Sequence, residues 1–486
     1  MNKFLKKQKK FFVVIGIEIH IQLKLNQKMF SKAKVSNDFV NQNVQIIDLA
    51  LPGYKPKINL KAVILAIQAA FLLNLKINKT ISFDRKNYLY SDLPKGFQLT
   101  QQFAPLGTNG YVEITNKDNK QKKVLIERLH IEEDTAKQIH TKIKTFLNYN
   151  RCGRALIEIV TKPCLENEIE AINYLKKIRN ILRMAEISTC EMNLGTMRCD
   201  INISLQENKN QLINNKVEIK NLNSFKDIKQ AIIFEINHQK ELLLKNKNIE
   251  LVTKRYNPLK KETVLLRRKE KNKDYHFFPE PNLRPFQISN DFIDQAIKKI
   301  PFSYHKVEKQ LLNQYQLNSS IVDILIDSNQ KLWLFFLGCA KTNKNYLELA
   351  KRIINDLSFS LNNLKINLEK SFLTFEQFNQ LTNFLILKKI TNKNYKLLLE
   401  KCLQTNYDLT KNLDNFVILR LNDPIKIKKI FLELIQENKA ILKDYSSRPK
   451  RVLKFFMGLI MKQTKGKIEI ILAKNILIKI LTEMNE

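Results

Sequence analysis

An alternation of apolar and polar residues near the start of the chain constrains its fold more than any other feature. Every second residue from 15 to 25 is isoleucine or leucine, and those between are glycine or polar, in the order Ile15, Gly16, Ile17, Glu18, Ile19, His20, Ile21, Gln22, Leu23, Lys24 and Leu25. This period of two is typical of a β-strand that buries one face in a core and turns the other to polar surroundings. The same alternation returns over residues 198–205, which predicts a second strand of this kind.

The remainder of residues 11–290 predicts an α+β domain. Apolar residues recur at helical spacing near 166–187 and again near 226–246, which indicates two amphipathic helices. Because the strands do not alternate regularly with helices, a largely antiparallel sheet fits this region best. The proline-rich residues 277–285 then predict an extended surface segment.

Beyond residue 290 the sequence changes character. Apolar residues recur at helical spacing in stretches such as 321–338, 345–357 and 426–443, which predicts an all-α region, and Asn-rich residues near 404–415 indicate a further boundary within it. The predicted organisation is a basic N-terminal extension (1–10), an α+β domain (11–290), a helical connector (291–410) and a helical tail domain (411–486).

The scarcity of glycine excludes two common classes of nucleotide-binding protein. The chain has only 10 glycines, and none of them forms a G-x-x-x-x-G-K-[ST] or a G-x-G-x-x-G pattern. These patterns supply the backbone turns that hold phosphates in P-loop ATPases and in Rossmann dehydrogenases. Neither class fits this sequence.

The net charge has two interpretations. Lys and Arg number 83 against 47 Asp and Glu, which gives a formal charge of +36. Lys, Asn and Ile dominate the composition, as they do under A/T mutational pressure whatever the partner, whereas a basic chain also fits a nucleic-acid partner. Residues 439–467 depart from this background, because their nine basic residues face a single acid, Asp444.

The cysteines and the N-terminal residues predict a cytoplasmic protein. Six cysteines are scattered without C-x-x-C pairs, so we expect no disulfide framework and a reducing compartment. The basic start imitates a signal peptide, but Glu18 and His20 interrupt its apolar run, and it lacks both a cleavage site and the arginines of a transit peptide. No apolar run reaches the length of a membrane span.

Three places in the first domain carry residues suited to chemistry. Glu18 and His20 lie on the polar face of the first predicted strand, which is either an ordinary solvated face or a pair of acid/base or metal-binding groups. Glu158 stands among apolar residues, so it needs a cation or a salt bridge, with Arg151 or Arg154 as alternatives. Glu132, Glu133 and Asp134 follow a short strand and are either a solvated turn or the completion of an oxygen-rich site. Such a site suits Mg²⁺ better than Zn²⁺.

Eight motifs, in order along residues 13–285, identify a family. They are V-I-G-I-E-I-H, D-L-A-L-P-G, F-D-R-K-N-Y-L-Y-S-D-L-P-K-G-F-Q, L-H-I-E-E-D-T-A-K, N-R-C-G-R-A-L-I-E-I-V, G-T-M-R-C-D-I-N-I-S, E-I-K-N-L-N-S-F and D-Y-H-F-F-P-E-P. Through them the chain resembles the GatB/GatE family, the B and E subunits of tRNA-dependent amidotransferases. An E subunit would carry a large insert before its tail, and this chain is too short for one.

The resemblance implies a ligase that forms a carbon–nitrogen bond with glutamine as the amido donor. In this family ATP and Mg²⁺ phosphorylate the side-chain carboxylate of Glu on glutamine tRNA, or of Asp on asparagine tRNA, and ammonia then displaces the phosphate. The residues that match the family's catalytic Mg²⁺ site are Glu18, His20, Glu133 and Glu158. Lys86 and Tyr88 match residues near the ammonia path, and Lys86 and Arg198 are predicted to contact the nucleotide.

The resemblance also implies partners. The A subunit is a glutaminase that supplies ammonia, the small C subunit wraps the pair, and the basic tail binds the misacylated tRNA. The residues predicted to contact tRNA are Lys450, Arg451, Lys454, Lys462, Lys465 and Lys467. Many relatives hold zinc through cysteines at positions that here are Ser31, Ala33, Gln45 and Asp48, so no zinc is expected.

One alternative stays open within the same family. The tail of this chain departs from the family motif at Leu459, where a Gln is usual, and at Ile468 and Glu469. A sequence that tolerates such losses is compatible with a tRNA-binding scaffold whose metal site has decayed. Retention of the four matched metal positions favours a catalytically active protein instead.

Overall fold

The structure is a computed structural model of the chain. It describes residues 11–36, 39–53, 55–206, 215–268, 275–409, 423–442, 445, 448–464, 468 and 470–484. The chain forms two compact units, Met1–Glu308 and Lys309–Glu486. The predicted extension at residues 1–10 and the predicted boundary at residue 410 lie outside the described residues.

The first unit contains all the strands that the structure describes. In chain order they are β1 (Phe12–Gln22), β2 (Lys76–Ile77), β3 (Thr80–Ile81), β4 (Asp84–Asn87), β5 (Phe97–Thr100), β6 (Gly107–Thr115), β7 (Gln121–Glu133), β8 (Lys137–His140), β9 (Thr145–Asn148), β10 (Ala155–Thr161), β11 (Met197–Gln206), β12 (Val217–Lys220), β13 (Val252–Asn257), β14 (Glu262–Arg268), β15 (His276–Pro279) and β16 (Phe286–Gln287).

Helices follow in both units. Those of the first unit are Leu60–Leu72, Glu168–Met184, Phe225–Leu244 and Asn290–Lys298, and Tyr304–Lys309 ends at the boundary. The α-helices that the structure describes in the second unit are Ser319–Asp327, Leu332–Cys339, Tyr346–Arg352, Ser358–Leu364, Phe375–Ile386, Asn392–Gln404, Pro424–Glu437, Lys439–Leu442, Pro449–Gln463 and Ile470–Glu483. The predicted fold class is confirmed: an α+β domain with a largely antiparallel sheet precedes a helical region.

The main sheet has nine strands in the order β14-β13-β12-β11-β1-β10-β7-β6-β2. Its pairs are antiparallel except for β12 and β13, which are parallel. The alternating strand β1 lies near the middle, between β10 and β11. Ile15, Ile17, Ile19 and Ile21 are fully buried on one face, and Glu18 and His20 are half-buried on the other, as the period of two predicts.

Two helices bury the apolar face of this sheet. Glu168–Met184 and Phe225–Leu244 match the two predicted amphipathic helices, and both pack against the sheet and each other. The second begins where the Ser224 hydroxyl accepts a hydrogen bond from the Asp227 N–H, which caps one of the free donors at the helix start. The opposite, polar face of the sheet is therefore the one left for a site.

A small sheet consists of β15, β4 and β5, and its Lys86 lines the same cleft as His20 of the polar face. The proline-rich segment supplies β15, so part of the predicted extended segment is a paired strand. Glu280 follows it and accepts hydrogen bonds from Arg85 at 2.7 and 3.1 Å, which ties β4 to the chain after β15. Lys86 and Tyr88 are held in position by this small sheet.

A buried ion pair fixes the loop after β1. Lys28 is fully buried, and its Nζ lies 3.0 Å from an Asp48 carboxylate oxygen that also accepts from Ser31 Oγ and the Gln45 N–H. Gly153 passes so close that a Cβ there would lie 3.1 Å from the Asp48 carboxylate. Its φ of +77° is also one that residues with side chains rarely adopt.

The second unit has its own apolar cores. Phe336, Phe378 and Leu398 are fully buried among the helices between residues 319 and 404. The last long helices, from residue 424 onwards, share a separate cluster that includes Phe431, Phe456 and Leu477. Helical spacing in the sequence predicts both groups of helices.

Candidate functional site

Four polar residues form a row across the polar face of the main sheet. Antiparallel pairing sets Arg198 of β11 opposite His20 of β1, His20 opposite Glu158 of β10, and Glu158 opposite His130 of β7. Directly opposed residues in antiparallel strands point to the same face. Glu132, two residues beyond His130 in β7, points to this face as well.

The middle of this row belongs to a cluster of two histidines and two glutamates, which we call the His20 cluster: His20, His130, Glu132 and Glu158. His20 is half-buried, and the other three are buried. His130 Nε2 lies 3.0 Å from Glu158 Oε2, and His20 Nε2 lies 3.5 Å from the same oxygen. His20 Nε2 is also 3.4 Å from Glu132 Oε1. The two imidazoles are therefore the charge partners that a carboxylate in a buried strand needs.

Burial and charge act against each other in the His20 cluster. Burial raises the pKa of Glu158, but the imidazoles of His130 and His20 outweigh it and hold that pKa well below its usual range. Burial lowers the pKa of His20, but the carboxylates of Glu158 and Glu132 outweigh it and raise the pKa to about 9. The cluster therefore places imidazoles against carboxylates, so that each kind of group offsets the cost of burying the other.

The His20 cluster has the donor atoms for a metal ion. One ligand atom from each of His20, Glu132 and Glu158 lies within 4.8 Å of the others. Two carboxylates and one imidazole suit a hard divalent cation such as Mg²⁺, which usually keeps further positions for water and phosphate. A cation would take over the role that the imidazole protons have here, because a histidine ligand must be neutral.

Two of the predicted metal residues lie outside this cluster. Glu18 lies in a neighbouring group with Asp200 and Glu218, whose carboxylate oxygens are also within 4.8 Å of one another. Glu133 points to the other side of β7, where its carboxylate pairs with Lys95 and accepts the Leu99 N–H at 3.0 Å. The structure thus brings His20 and Glu158 together with Glu132.

A lysine partly neutralises the neighbouring acidic group. Lys220 Nζ lies 2.6 Å from Asp200 and 3.1 Å from Glu218. The Glu18 carboxylate accepts a hydrogen bond from Asn202 at 2.9 Å. Burial raises the pKa of Glu18, and the surrounding carboxylates raise it further.

The His20 cluster opens into a cleft of about 460 Å³. That volume is ordinary for a small-molecule site. Cationic and aromatic side chains line it, among them the predicted site residues Lys86, Tyr88 and Arg198. Arg198 is held by Asp134 at 3.0 Å, and Asp134 also pairs with Arg151 at 3.3 Å. The cleft therefore combines carboxylates with cations suited to phosphate.

From the acidic run at 132–134 the sequence predicted Glu133 as a metal residue and did not single out Glu132. It also missed His130, Asp200, Glu218 and Lys220. A usable signal is present, because His130 and Glu132 are two residues apart in a strand, as Glu18 and His20 are. Glu218 and Lys220 repeat that spacing in β12. Polar pairs at this spacing in neighbouring strands mark one face of a sheet.

The basic tail residues lie on the helix Pro449–Gln463. Lys450, Arg451, Lys454 and Lys462 are exposed, and their spacing of three, four and eight residues places them along one side. Val452, Phe456 and Ile460 are fully buried on the other side, so this apolar stripe belongs to a core. Lys465 and Lys467 lie outside the described residues.

None of the helices that the structure describes is both long enough and apolar enough to cross a membrane. The predicted cytoplasmic location stays a prediction.

The chain is similar to known proteins along almost its whole length. Residues 13–294 match the GatB/GatE catalytic domain, and residues 334–481 match the GatB domain. The B subunit of an aspartyl/glutamyl-tRNA(Asn/Gln) amidotransferase from Mycoplasma capricolum is 41% identical over 96% of this chain and 98% of its own length. Proteins of the same name from Mesoplasma florum and Clostridium kluyveri are 38% and 35% identical, over 97% and 94% of this chain and 98% and 96% of their own lengths. The chain belongs to the GatB/GatE family.

Proposed function

We propose that the chain is the B subunit of a tRNA-dependent amidotransferase. It would activate the side-chain carboxylate of Glu on glutamine tRNA, or of Asp on asparagine tRNA, and convert that side chain to the amide. The observation that carries the proposal is the His20 cluster, a set of metal-type donors whose His20 and Glu132 line a cleft together with cations suited to phosphate. The names of the relatives support the same activity.

The reaction needs two steps because a carboxylate is a poor electrophile. In the first, a carboxylate oxygen of the aminoacyl group attacks the γ-phosphorus of ATP, and ADP leaves. In the second, ammonia attacks the acyl carbon, phosphate leaves, and the new amide loses a proton. Both steps are favoured by holding the reacting groups together and by neutralising phosphate charge.

His20, Glu132 and Glu158 would hold the Mg²⁺ ion. When bound, Mg²⁺ neutralises charge on the nucleotide phosphates. We include Glu132 rather than Glu133 because its carboxylate lies among the other donors, whereas that of Glu133 is engaged by Lys95. Glu18 would contribute its carboxylate from the neighbouring group that it forms with Asp200 and Glu218.

Cations of the cleft would orient the phosphates. Arg198 and Lys86 both line the cleft, and Arg198 is fixed by its ion pair with Asp134. An arginine held in this way presents its N–H groups to phosphate oxygens with little loss of conformational freedom. Lys86 and Tyr88 would also border the path of ammonia, which a partner glutaminase, the A subunit, would supply within a complex that also contains the C subunit.

A decayed tRNA-binding scaffold is the second candidate, favoured only by the departures in the tail. The buried acids oppose it, because an ionised carboxylate such as Glu158 is costly to keep inside a strand. The two candidates differ in one measurable property, since a scaffold would bind tRNA without forming ADP.

The test is reconstitution with the A and C subunits, followed by assay of ADP formation and amidation on Glu-tRNA and Asp-tRNA. We expect Glu158→Gln and Glu132→Gln to lower both activities by about 10²-fold or more, as loss of a group that stabilises transferring charge does. Glu170→Gln is the matched control, because Glu170 is equally buried and paired with a lysine, Lys122, but lies outside the cleft lining. Equal activity of all three variants would remove the proposed site, and a wild-type complex that binds tRNA without forming ADP would favour the scaffold.

A further inference from the structure

We propose that three tyrosines lining the cleft form a stacking site for an adenine ring. This tyrosine wall consists of Tyr88, Tyr90 and Tyr275. The proposal rests on the proposed function, in which two substrates carry adenine: the nucleotide, and the terminal adenosine that bears the amino acid on the tRNA.

Strand pairing in the small sheet builds the tyrosine wall. Asn87 at the end of β4 pairs with His276 at the start of β15, so Tyr88 and Tyr275 come next to one another just beyond the paired residues. The Tyr88 and Tyr275 ring centroids are 5.5 Å apart at an interplanar angle of 64°. The Tyr90 ring also contacts Tyr88, with centroids 5.7 Å apart at an interplanar angle of 67°. These are edge-to-face contacts, which fix the ring planes.

The exposure of the rings argues against a role in the core. Tyr90 is 55% exposed and Tyr275 is 43% exposed, although tyrosines in the core of the first unit, such as Tyr174, are fully buried. Tyr88 is half-buried between them, and its hydroxyl donates a hydrogen bond to Gln98 Oε1 at 3.3 Å. The wall therefore has a fixed inner ring and two outer rings with surface open to a ligand.

Two cations accompany the rings. Lys86 Nζ lies 4.7 Å from the Tyr275 ring centroid. Arg267 donates a hydrogen bond from Nη1 to the Tyr90 hydroxyl at 3.4 Å, and Arg267 lines the cleft too. Positive charge next to exposed aromatic rings is the pattern that binds nucleotides, because the rings stack on bases while the cations attract phosphate.

The position of the wall favours a base that is joined to reacting groups. The same cleft contains His20 and Glu132, so a nucleotide stacked on the tyrosines would have its phosphates or its acyl group within the cleft. An aromatic wall alone does not distinguish the adenine of the nucleotide from that of the terminal adenosine, because both have the same ring. The experiment separates the two sources.

The test measures equilibrium binding to the full chain with two probes. One probe is ADP with Mg²⁺, and the other is a tRNA that ends in CCA, compared with the same tRNA ending in CC. The variants are Tyr90→Ala and Tyr275→Ala, with Tyr90→Phe and Tyr275→Phe to keep the rings. Tyr111→Ala is the matched control, because Tyr111 also lies under a lysine, Lys123 at 4.5 Å, but outside the cleft lining.

We expect the alanine variants to raise one dissociation constant by roughly tenfold and the phenylalanine variants to leave it within about twofold of wild type, because stacking depends on the ring. An effect on ADP assigns the wall to the nucleotide. An effect on the CCA-ended tRNA, absent with the CC-ended one, assigns it to the terminal adenosine. Unchanged dissociation constants for both probes would overturn the proposal and leave the wall as a surface for a protein partner.

Failure of the stacking site and failure of the proposed function give different results. Binding of ADP and of tRNA to the tyrosine variants is measured with Glu158 unchanged, without amidation and without the partner proteins, so a loss of affinity reports on the rings and not on catalysis. If Glu158→Gln kept full amidation while the tyrosine variants lost ADP affinity, the proposed function would fail and the stacking site would stand.

Discussion

At the scale of single residues, the His20 cluster explains why a glutamate can occupy a buried strand. Glu158 is 8% exposed and has apolar neighbours along β10, yet its carboxylate meets the imidazoles of His20 and His130. Of the two, His20 was expected from the first strand, whereas His130 was not. His130 Nδ1 is buried with no hydrogen-bond partner in the described structure, so the ring is engaged through Nε2.

Substitution of His130 tests whether its Nε2 atom positions the Glu158 carboxylate. Glutamine carries its amide nitrogen close to the place of Nε2, and asparagine carries it close to that of Nδ1. We expect His130→Asn to weaken binding of Mn²⁺, a spectroscopic stand-in for Mg²⁺, by about 10–100-fold, as loss of a group that orients a ligand does. His130→Gln should restore most of the affinity. Electron paramagnetic resonance measures the bound Mn²⁺ directly.

A purely space-filling role for His130 has a different outcome. Asparagine and glutamine would then change Mn²⁺ affinity alike, and each would lower the melting temperature in proportion to the volume lost. Thermal unfolding of the two variants without metal is therefore the control.

Glu280 carries a pH dependence of stability. Burial raises the pKa of Glu280, but hydrogen bonds from Arg85 and Asn282 outweigh it and leave the pKa below the ordinary value of 4.5. A depressed carboxyl pKa contributes stability above the unfolded pKa, and this contribution is lost as the pH falls through the folded pKa. We expect Glu280→Gln to lower the free energy of unfolding by about 2 kcal/mol at neutral pH.

Unfolding measurements at acidic pH distinguish this effect from a simple loss of packing. The difference between wild type and Glu280→Gln should shrink as the pH falls below 4.5, since the wild-type carboxyl then becomes protonated as well. Denaturant titrations at several pH values measure it. A difference that is constant with pH would assign the loss to packing.

At the scale of elements, the sequence predicted which residues share a face but not how neighbouring strands align. The alternation in β1 placed Glu18 and His20 on the polar face, and the structure confirms this. Glu132 and Glu133 are adjacent, so one must point to each side of β7, and only the pairing with β10 decides which. Register depends on contacts distant in sequence, and a single sequence does not reveal them.

The loop after β1 depends on one buried ion pair. Lys28 and Asp48 are both buried, and removal of one partner leaves the other charged and unpaired. We expect Lys28→Met alone to lower the free energy of unfolding by about 3–5 kcal/mol. The double change Lys28→Met with Asp48→Asn should cost less than the sum of the two single changes, because it leaves no unpaired charge. Urea unfolding measures all four members of the cycle.

An exposed pair provides the control for that cycle. Lys123 and Glu113 lie 3.8 Å apart on neighbouring strands, and both side chains are more than half exposed. Their substitutions should each change the free energy of unfolding by no more than about 1 kcal/mol, since solvent screens the pair. If substitution of Lys28 or Asp48 changed the free energy of unfolding as little as that, the buried pair would not be what fixes the loop.

At the scale of the whole molecule, the net charge of +36 does not by itself indicate where a partner binds. Lysines are spread along the chain, so their number alone does not locate a nucleic-acid surface. The helix Pro449–Gln463 is the predicted surface, because Lys450, Arg451 and Lys454 lie together and exposed on one side of it. Val452, Phe456 and Ile460 are fully buried and occupy the opposite side of the helix.

Salt dependence of tRNA binding tests this surface. Changing Lys450, Arg451 and Lys454 to Gln should weaken binding and reduce the slope of log Kd against log salt by about 2, because each lost phosphate contact removes roughly 0.7–0.9. The control changes Lys388, Lys389 and Lys393, which are equally exposed in other parts of the second unit. Fluorescence anisotropy over a range of salt concentrations gives both slopes. Equal slopes in the two triple variants would show that only the total charge matters.

The position of β1 near the middle of its sheet has a consequence for synthesis. Its two partners, β10 and β11, end only at Thr161 and Gln206. The isoleucines of β1 therefore leave the ribosome long before either partner exists, and at about 5–20 residues per second they wait roughly 10–40 s for β11. During that interval the nascent chain exposes an apolar segment without its partner strands, so aggregation is the hazard until residue 206 has emerged.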